Sequence, residues 1–119
     1  MKKVVATTKA PGAIGPYSQA IVAGDNMYIS GQLPINPATG ELAEANIQAQ
    51  TKQSLENIKA ILESEGLSMK NVVKTTGNLP EGLSAKDLAL SLVKELGEEV
   101  VSGKELQLTK LLNCQKALW

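Results

Sequence analysis

Few residues in this chain are equipped for chemistry. Ser30 and Gly31 close an apolar run, Asn26–Ser30. A glycine there lets a ligand approach the backbone closely, and its N–H can bind a carboxylate or hold a water. The Ser30 hydroxyl can join the same ligand, or the pair simply ends a strand. Tyr17 can line a pocket with its ring and hydroxyl, or anchor a loop as half-buried tyrosines commonly do. Gln32 offers a carboxamide to a substrate, although with Pro34 it reads first as loop geometry. Lys2, Lys3 and Lys74 can attract an anion or remain solvated. Cys114 has no histidine to activate it and reads as an ordinary thiol.

What is missing constrains the chemistry further. All twelve cationic side chains are lysine; there is no arginine, no histidine and one cysteine. The chain therefore has no rigid bidentate fork for a carboxylate. A disulfide framework is excluded, and a zinc site of the usual kind is not expected. Zero formal charge creates no net basic field for nucleic acid. The start Met1-Lys2-Lys3 is followed by too short an apolar stretch for a signal peptide or a membrane span, so a cytoplasmic location is expected.

The 119 residues, 43% of them apolar, suit one domain, 1–119, with a single core. Lys3–Thr8 reads as a β-branched strand, and Ala10–Tyr17, with two prolines and two glycines, as an irregular loop. Gln19–Ala23 and Asn26–Ser30, joined at Gly24-Asp25, suggest a hairpin. Asn36-Pro37-Ala38-Thr39-Gly40 is a turn signal. Ile47, Thr51, Leu55, Ile58 and Leu62 share one helical face, which predicts a helix over Ile47–Glu65 capped by Asn46 and stopped at Gly66. Val72–Thr76 reads as a strand. The order indicates an α+β fold.

Several of these segments together resemble the Rid (YjgF-like) family of reactive-intermediate deaminases. The resemblance rests on Gly15-Pro16-Tyr17-Ser18-Gln19-Ala20, Ser30-Gly31-Gln32-Leu33-Pro34 and Pro37-Ala38-Thr39-Gly40-Glu41. It continues through Gln50-Thr51, Leu55-Glu56-Asn57-Ile58-Lys59-Ala60 and Val72-Val73-Lys74-Thr75-Thr76. It implies a chorismate-mutase-like mixed sheet backed by two helices, and a homotrimer with pockets between subunits. It also implies hydrolysis of small anionic imines and enamines to 2-oxo acids and ammonia without metal or organic cofactor. Ser30 and Gly31 would then serve catalysis, and Tyr17 and Gln32 substrate binding. A backbone-held water suits this reaction, because an electrophilic imine carbon needs positioning more than a strong base.

Beyond Thr76 the resemblance ends. The family's Asn-Glu-Val-Tyr-like helix, its Pro-Ala-Arg-Ser-type strand with the carboxylate-binding arginine, and its Leu-Pro-Lys…Glu ending have no counterpart. A reading-frame change in a family gene would account for part of this. A family-like ending Glu-Val-Ala-Lys-Leu-Pro-Lys-Gly-Ala-Leu-Val-Glu, with codons chosen among synonyms and read one base later, yields Lys110–Trp119 and a stop. Residues 77–119 still carry local signals. Ser84-Ala-Lys-Asp87 resembles a capping box ahead of Leu88, Leu92, Leu96 and Val100, which predicts a helix over Lys86–Leu96. A second helix is expected over Lys104–Leu118. A sheet lacking its family partners would expose edges and an apolar face. The expected activity is imine deamination weakened by the lack of arginine. The alternatives are a non-catalytic oligomeric binding or interaction module, and a frame-shifted product without function.

Overall fold

A computed structural model describes residues 1–79, 85–96 and 105–110. Three short strands come first: β1 (Lys2–Val5), β2 (Ala20–Ala23) and β3 (Asn26–Ile29). They form an antiparallel sheet in the order β1-β2-β3, with Val5 opposite Ala20 and Ala20 opposite Ile29. The β2–β3 turn falls at Gly24, whose φ of 60° is the left-handed conformation that glycine adopts without steric cost.

The main helix, α1 (Ile47–Ser64), begins and ends where the sequence signals it. Asn46 Oδ1 accepts a hydrogen bond from the Ala49 N–H at 2.7 Å. Gly66, at φ 74°, turns the chain so that the Leu67 N–H reaches the Leu62 carbonyl at 3.0 Å. A short 3-10 turn, Met69–Asn71, follows, capped by Ser68. The strand expected over Val72–Thr76 starts later, as β4 (Lys74–Leu79). The helix α2 (Ala85–Leu96) agrees closely with its prediction; Ser84, the cap proposed for it, lies outside the described residues.

One prediction for the C-terminal third fails. Glu105–Lys110 is not helical but forms a strand, β5, parallel to β4 with Lys74 opposite Glu105 and Leu79 opposite Lys110. Glu-Leu-Gln-Leu-Thr alternates polar and apolar residues with period two, which favours a strand over the helical reading of Leu108, Leu111 and Leu112. The β4–α2–β5 segment is thus a crossover joining two parallel strands, the usual way such a pair is connected. β4 therefore has a partner, contrary to the expectation of a sheet stripped of its C-terminal strands. Lys104 and residues 111–119, including Cys114, lie outside the described residues.

The helix α1 connects the two halves. On one side Ile61 packs with Val5, Ala10 and Ala20, bordered by Val22, Met27 and Ile29 of the sheet. On another side Leu55 packs with Leu88 and Leu92 of α2, bordered by Ile47, Ile58 and Met69. Lys3 Nζ meets Glu65 Oε2 at 2.7 Å, tying β1 to the end of α1. Ile61 is fully buried at the junction of helix and sheet, so Ile61→Ala should lower unfolding stability by about 3 kcal/mol. Urea denaturation would show this as a lower midpoint with an unchanged slope.

The opposite face of the β1-β2-β3 sheet lies away from α1. Val4, Ile21 and Tyr28 stand opposite one another across the three strands, and Val4 and Tyr28 are each 63% exposed. Among the described residues no helix is long and apolar enough to cross a membrane.

Candidate functional site

The hairpin register brings the candidate residues to one end of the sheet. Beyond the last ladder pair, the Ser30 N–H donates to the Gln19 carbonyl at 3.0 Å. The Ser30 hydroxyl donates to the Ser18 carbonyl at 2.6 Å. Ser18 and Gly31 thus face each other as the strands separate, with Tyr17 next in the chain. The Gln32 carboxamide donates back to the Ser30 carbonyl at 3.1 Å, spanning Gly31.

Gly31 is exposed, and its backbone lies outside the positive-φ region. A methyl group built on it would meet no atom within 4 Å. Nothing described within the chain therefore requires glycine at this position. A ligand or a second polypeptide approaching the backbone would require it. With its proton committed to Ser18, the Ser30 hydroxyl faces a ligand as an acceptor.

Tyr17 is 47% exposed. Its N–H donates to the Gly15 carbonyl at 2.8 Å, so the loop doubles back at Pro16. The ring lies over Gly15, where an added Cβ would come within 3.4 Å of it. The structure thus gathers Tyr17, Ser30, Gly31 and Gln32 at the hairpin end, with the tyrosine ring folded on its own loop. Lys3 is engaged with Glu65 on the core side of the sheet. Lys74 opens β4. Among the described residues no group of three His, Cys, Asp or Glu side chains is placed to hold a metal.

Two residues that build this site have no assigned role in the sequence reading. Gln19 is 3% exposed. Its Oε1 accepts from the Thr7 N–H at 2.6 Å, and its Nε2 donates to the carbonyls of Thr7 (3.0 Å), Ala10 (3.3 Å) and Pro11 (2.8 Å). One side chain thus fastens the loop that leads to Tyr17. Asn57 is 1% exposed and bonds the carbonyls of Leu33 and Ile35, just after Gln32. A signal for Asn57 existed: asparagine is a poor helix former, and one in the middle of a strong helix asks for a specific partner.

An antiparallel hairpin sheet packed on one long helix, followed by a strand–helix–strand crossover, is the α+β arrangement seen in solved structures of YjgF-type proteins. A Thermotoga maritima structure described as a putative endoribonuclease superposes with a TM-score of 0.82 and 41% identity, covering 93% of this chain and 85% of that one. Escherichia coli TdcF, solved with bound serine, superposes with a TM-score of 0.82 and 33% identity over 92% of this chain and 85% of that one. The chain belongs to the Rid family: a family model described as endoribonuclease L-PSP matches residues 7–86. A RutC family protein of Pyrococcus horikoshii is 57% identical over 76 residues, 64% of this chain and 60% of that protein. The 2-iminobutanoate/2-iminopropanoate deaminase of Escherichia coli is 51% identical over 76 residues, 64% of this chain and 59% of that enzyme. Sequence similarity therefore spans about three fifths of the curated relatives' length, whereas structural similarity extends over nearly the whole chain.

Proposed function

We propose that this chain is a single Rid-type domain that binds a small anionic 2-imino or 2-enamino acid at the end of the β2–β3 hairpin. The observation that carries the proposal is Gly31: exposed, unstrained and with open space where a side chain would be. The substrate carboxylate is received by the backbone N–H groups of Gly31 and Gln32, since the Ser30 N–H is held by the Gln19 carbonyl, and the imine N–H by the Ser30 oxygen. Tyr17 and Gln32 flank the ligand. The similarity to an imine deaminase and to a structure holding serine supports this ligand class. An RNA-cleaving role has less support, since the chain has neither histidine nor net positive charge.

The reaction is hydrolysis. A water oxygen adds to the imine carbon to give a carbinolamine. The C–N bond then breaks, nitrogen leaves as ammonia with the proton from the added hydroxyl, and a 2-oxo acid remains. No cofactor enters this balance. A charge-assisted bidentate contact to the carboxylate is worth on the order of 2–4 kcal/mol, so its absence slows the reaction by roughly thirty- to a thousandfold against an arginine-bearing relative. Non-catalytic binding is the second reading, favoured by the complete lack of arginine.

The site is assembled in a homotrimer in the cytoplasm. The row of exposed Val4, half-buried Ile21 and exposed Tyr28 supports self-association, because a second copy would cover an apolar sheet face that α1 leaves open. Gel filtration should give one discrete species of three times the chain mass; heterogeneous aggregate would favour a frame-shifted product without function.

Activity is tested with a threonine dehydratase generating 2-aminocrotonate and its imine, semicarbazide trapping what remains, and this chain added in increasing amounts. Dose-dependent loss of the trapped adduct is expected, at a rate well below that of an arginine-bearing relative. An unchanged adduct with a folded protein leaves the binding reading, and failure to bind 2-oxobutanoate overturns both.

A further inference from the structure

We infer that Asn57, in the middle of α1, is a positioning residue for the Gly31 amide. The inference rests on the proposed site but is tested independently of its chemistry. The Asn57 carboxamide is buried and its bonds are complete. Its two N–H groups donate to the Leu33 and Ile35 carbonyls, each at 3.0 Å. Its Oδ1 accepts from Gln53 Nε2 one helical turn earlier, also at 3.0 Å.

These bonds span Pro34, a fully buried residue with no N–H to contribute. They hold the chain immediately after the site. On the other side, Ser30 is held through its N–H to Gln19 and its hydroxyl to Ser18. Gly31 and Gln32 are the two residues between these attachments. A two-residue span fixed at both ends has little freedom to rotate its peptide planes. The direction of the Gly31 N–H is therefore set jointly by the hairpin and by α1, and Asn57 is the link to α1. Gln53 orients the carboxamide so that both hydrogens face the 33–35 carbonyls.

A purely structural role for Asn57 would lower stability and leave the Gly31 amide where it is. The test compares Asn57→Ser with wild type and with Leu55→Val, a core variant on the α2-facing side of the same helix, in the intact chain. Gly31 is followed by its backbone amide NMR signal and hydrogen-exchange rate, and 2-oxobutanoate serves as the binding probe. Asn57→Ser should move the Gly31 signal, speed its exchange and weaken binding by about tenfold, the size of one ordinary hydrogen bond. Leu55→Val should leave the Gly31 signal unmoved. If Asn57→Ser does not fold, Gln53→Ala, which removes only the bond to Oδ1 from a half-buried site, should shift Gly31 in the same direction by less. An unmoved Gly31 amide in the folded variant overturns the inference. If the wild type binds no 2-oxobutanoate, the proposed ligand is wrong, and the amide signal still decides the role of Asn57.

Discussion

Replacing Gly31 with valine should abolish ligand binding and leave the fold intact. The reasoning runs from the open space around Gly31. A side chain there starts in open space, with nothing within 4 Å of its Cβ, and the backbone is not in the left-handed region that would strain it. Unfolding stability should change by no more than about 0.5 kcal/mol, as for ordinary surface substitutions. The same side chain would fill the space through which a ligand reaches the peptide N–H. Affinity for 2-oxobutanoate should fall by at least about thirtyfold, or roughly 2 kcal/mol. Titration calorimetry and urea denaturation on the same preparation separate the two effects, and gel filtration shows whether assembly is altered. Binding at wild-type strength would remove Gly31 from the site. A large loss of stability would mean that its glycine identity serves the fold.

The elements legible in the sequence are those whose signals are local. The helix α1 is marked at both ends, by the Asn46 side chain and the Gly66 turn, and one of its faces by Ile47, Leu55, Ile58 and Leu62. The hairpin is marked by Gly24 between two apolar runs, and its register then brings Ser30 beside Gln19. What a single-face reading of α1 omits is that this helix is packed on two sides. Ile61 and Asn57 belong to a second buried surface, facing the sheet and the 33–35 segment. Period alone does not reveal it, because the residues that cover it come from distant parts of the chain.

The C-terminal third shows the reverse problem. Leucines and lysines with good helix propensity drew Glu105–Lys110 into a predicted helix, while the alternation within those six residues fitted a strand. The strand forms because β4 supplies a ladder for it, and a tertiary partner of this kind outweighs propensities worth a few tenths of a kcal/mol per residue. The site was legible in part for a related reason. The residues proposed to meet a ligand, Tyr17, Ser30 and Gly31, stand out by type and place. The residues that hold them, Gln19 and Asn57, are amides whose partners are mostly main-chain carbonyls; low helix propensity marks Asn57 as needing a partner, but a carbonyl leaves no mark in a sequence to say which.

Gln19 gives the second large effect. Its carboxamide makes four bonds to the loop backbone, three of them donated by one nitrogen to the carbonyls of Thr7, Ala10 and Pro11. Two N–H hydrogens serve three acceptors, so the bonds to neighbouring carbonyls are shared. Gln19→Leu keeps the approximate volume and removes all four. Water can reach part of this backbone once the loop loosens, which limits the loss to about 3 kcal/mol. Limited proteolysis should then cut within residues 7–18 well before any site in α1. Gln19→Glu distinguishes lost hydrogen bonds from lost packing. Its carboxylate can still accept from the Thr7 N–H but turns an acceptor toward three carbonyls, so at neutral pH it should be at least as destabilising as leucine. Burial and facing carbonyls favour the protonated acid, raising the folded-state pKa of the introduced carboxyl above its unfolded value. The folded state then binds the extra proton more tightly, and stability should recover as pH falls from 7 towards about 5. Gln19→Leu has no such group and should show no recovery beyond that of the wild type. Equal pH profiles for the two variants would mean that the amide donors do not hold the loop, and that Gln19 contributes by packing alone.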